Sequence, residues 1–476
     1  MSGLASIYNN TRLMLGVHGR ELARLQEMAA SGLRVRQASD APADAFRILG
    51  LRADGHAYET YSKNLAGVDD SFNMALSVMG QMSEGLTRVR ELATQGLSGT
   101  YSPDNRAAVA REIDAILRQT IALANTSQAG RYLFAGSSGS TRPFVARYAD
   151  GTIVGVDYAG SPETLGVPVA PGVQYAGTLV GDELFRNGDR QTPEFLGSTG
   201  AAAGSGTASV RGDLWLTVGH EATTYAGASG IALGDTSATG DTILGTGHTL
   251  VIDAPAGVLR LDDGPDVAFT GAETDLVLTN AAGDVVHVNV TALDPAFQGA
   301  VAAQATGYLS LNDGASRVAI DFAQANLAVT DPATGRVLYV DCTGVARTGI
   351  EPVRVPGTYD VFGAIVTVRD ILLNTRGLSE LRQTQLLTES IGALQEATTQ
   401  LSRAETLVGG QVGAMASLGT LLEDLQAFSA DQAGRLESAD MVQLATELAQ
   451  RQTLYEMTLA VSARLLNISL LDYIIE

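Results

Sequence analysis

Residues 58–93 read YETYSKNLAGVDDSFNMALSVMGQMSEGLTRVRELA, a helical pattern that the rest of the chain has to accommodate. Apolar side chains recur at alternating steps of three and four: Tyr58, Tyr61, Leu65, Val68, Phe72, Ala75, Met79, Met82, Leu86, Val89 and Ala93. Such a heptad lays one apolar seam along a helix roughly 54 Å long at ~1.5 Å per residue. Lys63, Asp69, Asp70, Gln81, Glu84, Arg88, Arg90 and Glu91 fall between, so the other face is wet. A helix of this length needs a partner of matching length, from this chain or from another copy. Leu65, Val68, Phe72, Met79, Met82, Leu86 and Val89 are the predicted bundle seam.

Upstream, the same spacing marks a first helix over residues 4–29 through Leu4, Tyr8, Thr11, Leu15, His18, Leu22, Leu25 and Ala29. Gly32 is a natural stop. Asp40 is positioned to accept free amide hydrogens where the long helix starts, and Pro42 costs no bond in a first turn. Downstream, Ser102-Pro103 opens a third helix, and residues 130–136 (GRYLFAG) read as a short strand and turn.

Residues 146–357 hold 31 of the 53 glycines, and helical periodicity gives way to short alternating runs. Leu276–Asn280 and Val285–Val290 predict a hairpin across Ala281-Ala282-Gly283-Asp284. After Pro356 the helical pattern returns. A helix over about 359–374 precedes a long one through Leu387, Leu394, Leu401, Val408, Met415 and Leu422. The last helix is capped by Ser438 or Asp440 and carries Leu444, Leu448, Tyr455, Leu459 and Leu466, with Leu470 near its end.

The predicted fold class is therefore multidomain α+β. A long antiparallel, coiled-coil-like bundle forms from the N- and C-terminal regions, with an inserted all-β region. Three domains follow: a terminal helical pair from 1–40 and 438–476, a long bundle from 41–145 and 358–437, and a β-rich surface insertion at 146–357. Alone, the two end helices bury little. Copies stacking on one another supply the missing burial, with Leu4, Tyr8, Leu15, Leu22, Leu25, Leu448, Tyr455, Leu459, Leu466 and Leu470 as the expected assembly interface. The competing reading makes these helices part of a monomeric bundle.

A formal net charge of -21 argues against a nucleic-acid partner and against docking on anionic lipid. No run of ~18 apolar residues occurs, so no membrane insertion is expected. The N-terminal residues lack an apolar core with a small-residue cleavage site, so no cleaved signal peptide is expected. Lys63 is the single lysine and follows no Gly-rich loop, which excludes a phosphate-cradling P-loop. His18, His56, His220, His248 and His287 are scattered, so no metal site is expected. Asp262-Asp263-Gly264-Pro265-Asp266 lacks the ligand ladder of a calcium loop and reads as a polar turn. Cys342 sits in an apolar run as a small buried hydrophobe rather than a nucleophile. No catalytic set and no cofactor site is predicted.

Ala30-Ser31-Gly32-Leu33-Arg34-Val35 followed by Ala38-Ser39-Asp40-Ala41-Pro42-Ala43 resembles the segment after the first helix of the flagellin superfamily. Ser438-Ala439-Asp440-Met441, Leu448-Ala449-Gln450-Arg451-Gln452-Thr453 and Leu470-Leu471-Asp472-Tyr473 resemble its C-terminal helix. Gly130-Arg131-Tyr132-Leu133-Phe134-Ala135-Gly136 with Pro143-Phe144 is similar to the branch that sits between hook and filament. The resemblance covers about residues 1–145 and 358–476, with Ser39, Asp40, Pro42, Gly130, Arg131, Tyr132, Phe134 and Gly136 as its motif residues.

The resemblance implies a non-enzymatic structural protein of the bacterial flagellum, secreted by the flagellar type III apparatus and needed for motility. Its implied partners are copies of itself, hook-associated protein 1, flagellin and a flagellar export chaperone. Its implied location is extracellular, where hook meets filament. A filament-forming flagellin is the alternative, and the insertion could also be a glycan-binding or hydrolytic module carried on the flagellar surface.

Overall fold

The computed structural model describes the backbone of residues 2–99, 101–332 and 334–475, and side chains within them except at 2–5, 7, 8 and 465–475. The helices are α1 (Ser2–Ser31), α2 (Pro42–Gly96), α3 (Pro103–Ala124), α4 (Gly181–Phe185), α5 (Ser237–Gly240), α6 (Val361–Leu373), α7 (Glu380–Glu437) and α8 (Met441–Ile475). Between α3 and α6 the chain is almost entirely β. The architecture is thus α+β, with helical regions at both ends and a β region inserted between them.

Two compact units divide the chain. One contains residues 1–70, 166–176 and 411–476; the other contains 71–165 and 177–410. These boundaries fall inside α2 and α7, whereas the sequence pattern put divisions at the loops near 40, 145, 357 and 437. The hairpin Gly166–Ala170/Val173–Ala176, expected in the surface insertion, groups with the terminal helices. Asn64 donates to the Pro168 carbonyl and Tyr175 to that of Gln411, which holds the hairpin on both long helices.

In the first unit α1 packs on α8. The pair is antiparallel: Ala439 N–H donates to Gly32 O at one end, and Gly19 lies against the Tyr455 ring further along. Within the same unit the long helices also run antiparallel, since Arg52 pairs with Glu437 while Gly419 lies beside Leu65.

In the second unit the α2 seam is buried against three neighbours. Gly85 faces Ile116 and Thr120 of α3, while Gly96 faces Leu372 of α6 and Leu387 of α7. Phe72, Met79, Met82, Leu86 and Val89 are each at most 1% exposed, and Val78 and Leu92 beside them are buried too. Packing against several helices needs a broader apolar stripe than a single heptad seam provides. Arg106, itself buried, joins α3 to α7 through Gln383 and Glu380.

The main sheet is antiparallel throughout. Its strands run, side by side, Val267–Ala268, Val258–Leu261, Gly245–Asp253, Gln298–Ser310, Gly212–Tyr225, Gly349–Val355 and Glu194–Phe195, with Val318–Ala319 joined to Gln298–Ser310. Leu276–Thr279 and Val285–Asn289 form the hairpin expected from sequence. Two separate apolar cores fill this region, one around Leu216, Leu338 and Val340, the other around Leu250, Val286 and Val288.

Candidate functional site: the terminal helix pair

The segment between α1 and α2 ties the two chain ends together. Leu33 bridges to Ser438, and the Arg34 N–H donates to Glu437 O. The Arg34 guanidinium reaches Asp44 at 2.7 Å and the Leu436 carbonyl at 3.0 Å. Asp40 corrects its sequence assignment. Its carboxylate accepts the preceding amides of Arg36 and Gln37 instead of capping α2. Those two bonds, Gln37 first, hold its carboxyl below the usual range. Ser39 is exposed in the same turn, and Pro42 is the first residue of α2 as expected. Asp40 thus fixes the bend between α1 and α2. Asp440, not Ser438, caps α8, accepting from Val442 and Gln443.

Within the pair, Leu25 is buried, while Leu15, Leu22, Leu448 and Tyr455 are half-buried. Leu25 therefore holds the pair together and offers no free surface, which corrects its assignment to an interface with other copies. Leu459 is 45% exposed. Leu4, Tyr8, Leu466 and Leu470 lie outside the residues whose side chains are described.

Apart from Leu459, the most exposed apolar side chains among the described residues of the pair were not singled out by the heptad. Leu13, Met14 and Val17 on α1 are 68%, 59% and 42% exposed, and Val442, Met457 and Val461 on α8 are 79%, 61% and 53% exposed. The antiparallel register that sets Gly19 beside Tyr455 puts Leu13 and Val17 at the level of Val461 and Met457. Spacings of 13, 14, 17 and of 454, 457, 461 give each helix a second apolar stripe beside its seam. Singly exposed apolar residues are ordinary, whereas clustered ones mark a contact surface. A search for two stripes per helix, instead of one, would have found them.

The motif at 130–136 does structural work elsewhere, in the second unit. Arg131 and Tyr132 pair with Ser127–Gln128, and Gly130 takes a positive φ in the turn. Phe134 is buried against Phe185 with ring centroids 4.9 Å apart, and Phe144 stacks on Phe362 at 5.0 Å. Gly136 has φ +61°, and a Cβ there would strike the Ser161 carbonyl. Next to this cluster Arg369, 1% exposed, donates to Asp114, Asp370 and the Ile153 carbonyl. Burial raises the Asp370 carboxyl above its ordinary value despite that arginine.

The remaining polar candidates are engaged internally. Asp262 accepts from His248 and from the Thr249 amide. Burial alone would raise its carboxyl, and these bonds bring it below the usual range. Burial pushes the Cys342 thiol up to about 11, and its side chain is fully enclosed. A shallow depression of about 370 Å³ between α2 and α7 is lined by Gly80, Ser83, Glu84, Thr87, Arg88, Glu91 and Glu405. Arg88 there is occupied by Glu112 and Glu91, and burial raises Glu405. Among the described residues no group of three or more His, Cys, Asp or Glu could hold a metal ion, and no helix is long and apolar enough to cross a membrane.

The two end helices thus fold back on each other with apolar side chains exposed on both. Residues 5–139 match the bacterial flagellin N-terminal helical region. It is 30% identical to flagellar hook-associated protein 3 of Escherichia coli over 125 residues, which is 26% of this chain and 39% of that protein. It is 26% identical to flagellin of Listeria monocytogenes over 117 residues, 25% of this chain and 41% of the relative. The matched stretches thus span about two fifths of these relatives.

Among solved structures, FlgL of Xanthomonas campestris aligns at 19% identity and TM-score 0.40, covering 78% of this chain and 99% of that one. Hook-associated protein 3 of Legionella pneumophila aligns at 15% and TM-score 0.43, covering 82% and 98%.

Proposed function

We propose that this chain is a structural adaptor of the bacterial flagellum, joining the hook, through hook-associated protein 1, to the flagellin filament by helical self-assembly. The observation that carries this reading is the open apolar face of the α1–α8 pair around Leu13, Val17, Met457 and Val461. Copies stacking side by side cover that face, so the terminal helices of 1–40 and 438–476 line an inner tube. The role is mechanical, with no reaction catalysed. Export runs unfolded through the flagellar type III apparatus, with a chaperone holding the last helix until release. The likeness to flagellins supports a second reading, a filament-forming subunit.

A strain lacking the gene tests both readings. The adaptor reading expects an intact hook, flagellin shed into the medium and no motility. Filaments still attached to the hook overturn it. Antibody labelling along the whole filament, instead of at its base, favours the second reading.

A further inference from the structure

The β insertion uses one construction twice. Residues 197–204 read GSTGAAAG and residues 227–234 read GASGIALG. Residues 327–345 read LAVTDPATGRVLYVDCTGV and residues 276–293 read LVLTNAAGDVVHVNVTAL, one residue shorter in the turn. Short patterns of small and β-branched residues recur by chance, so the decisive comparison is of backbone detail.

That detail matches position by position. Gly200 and Gly230 both take positive φ, +87° and +81°, and a Cβ on either would strike a carbonyl oxygen, Gly344 in one case and Ala292 in the other. The Thr199 carbonyl accepts from Ala346 N at 3.1 Å, and the Ser229 carbonyl from Asp294 N at 3.0 Å. The hydroxyls of the same two residues accept from Ala201 N and Ile231 N, both at 3.3 Å. Gly204 N donates to Tyr339 O as Gly234 N does to His287 O, each at 3.0 Å.

Ala202–Ala203 pairs with Val340–Asp341 as Ala232–Leu233 pairs with Val288–Asn289. Asp341 then accepts from both the amide and the hydroxyl of Thr343, and Asn289 does the same for Thr291. Cys342 N reaches Gln324 O and Val290 N reaches Glu273 O, each at 3.0 Å.

Each hairpin packs into its own core, and Leu244 and Leu309 of the second set reach into the first core. Val329, Leu338, Val340, Cys342 and Val345 are buried in one core; their counterparts Leu278, Val286, Val288, Val290 and Leu293 are buried in the other. In each set a long strand follows the hairpin, Gly349–Val355 in the first and Gln298–Ser310 in the second. All of the second set falls between strand Gly212–Tyr225 and strand Leu327–Asp331 of the first.

We propose that residues 227–305 are a second copy of the β unit built from 197–218 and 327–355, nested inside it and folding as its own cooperative unit. The copies have diverged. Glu351 of the outer copy, whose carboxylate holds Thr199, has Gly299 at the matching position. Tyr339 is replaced by His287, which pairs with the buried Asp241. This inference concerns the insertion alone and stands whether or not the adaptor reading does.

Two full-chain experiments test it. Leu338→Ala and Val286→Ala truncate matching positions, one in each core. Peptide-resolved hydrogen exchange should show at least about tenfold faster exchange only in the altered copy, since opening follows local cooperative units. Equal acceleration of both segments by either variant overturns the proposal. A transplant of 327–345 in place of 276–293 covers the case where a truncated copy fails to fold. In register, it should leave the inner copy protected from protease; shifted by one residue, it should not, because every side chain then changes face. Equal damage from both transplants overturns the proposal.

Discussion

The terminal helix pair and the β insertion treat apolar surface in opposite ways. In the insertion, side chains such as Leu338, Val340, Val286 and Val288 are fully enclosed within two cores. Edges there are closed as well: Arg369 and Arg186 donate to the carbonyls of Ile153 and Val156, on a strand whose one partner is Phe144–Ala149. Capping carbonyls in this way keeps an edge from recruiting another strand. The α1–α8 pair instead encloses Leu25 and Leu444 and leaves Leu13, Met14, Met457 and Val461 in water. The insertion fills two cores of its own, although Leu233 and Val277 remain exposed there; the terminal pair encloses little and keeps Leu13, Met14, Met457 and Val461 exposed along its two helices.

Charging the open face should have the largest effect. Leu13 and Met457 are each worth about 1.5–3 kcal/mol when buried, so Leu13→Glu with Met457→Glu weakens stacking by at least about a hundredfold. Sedimentation of the purified variant with hook-basal bodies should show lost association, while its circular dichroism stays unchanged. Unaltered association would erase the contrast between the regions.

Arg369→Ala comes next, acting inside one unit. It strands the carboxylate of Asp370, leaves Asp114 with Arg118 alone and frees the Ile153 carbonyl. Breaking a buried pair this way costs about 3–5 kcal/mol. The chemical denaturation midpoint of the second unit should fall, with the terminal pair untouched.

Leu25→Ala reverses the location. A cost of about 2–4 kcal/mol should loosen α1 and α8, measurable as loss of helical signal, and leave the β transition where it was.

The smallest expected effect is a pH dependence within the β insertion. Burial lowers the folded-state pKa of His220 below its ordinary value. The unfolded chain then binds the proton more readily, so stability is complete above about pH 6.5 and declines as pH falls below it. Glu273, held down to about 2 by the Thr270 hydroxyl and nearby amides, acts at lower pH. Its contribution is present above the ordinary carboxylate range and is lost as pH falls toward 2. Urea midpoints at pH 7.5 and 5.5 for the native chain and for His220→Gln should differ only in the native chain.

What the sequence disclosed depended on periodicity. The α2 seam, the Leu276–Thr279/Val285–Asn289 hairpin and the Ser102 cap were legible because local spacing and local hydrogen bonds specify them. Asp40 was misread because an acid before a helix can bond either forward or backward, and only the bend at Gly32–Val35 selects backward. Leu13, Met14 and Val17 were passed over because a heptad reading treats apolar residues off the seam as exceptions. The strand order depends on pairs such as Leu309 with Val218, 91 residues apart, which no local pattern encodes. The nested repeat was hidden for a similar reason: the outer copy is interrupted by the inner one, so the matching pieces do not follow one another.

Hydrogen exchange of residues 10–31 and 441–464, in dilute protein and in protein bound at the hook tip, tests the central claim most directly. The account predicts fast exchange in both segments when the chain is free and strong protection once copies stack. Equal protection in the free chain and in the assembly would show that the terminal pair is already complete by itself, and would contradict the account.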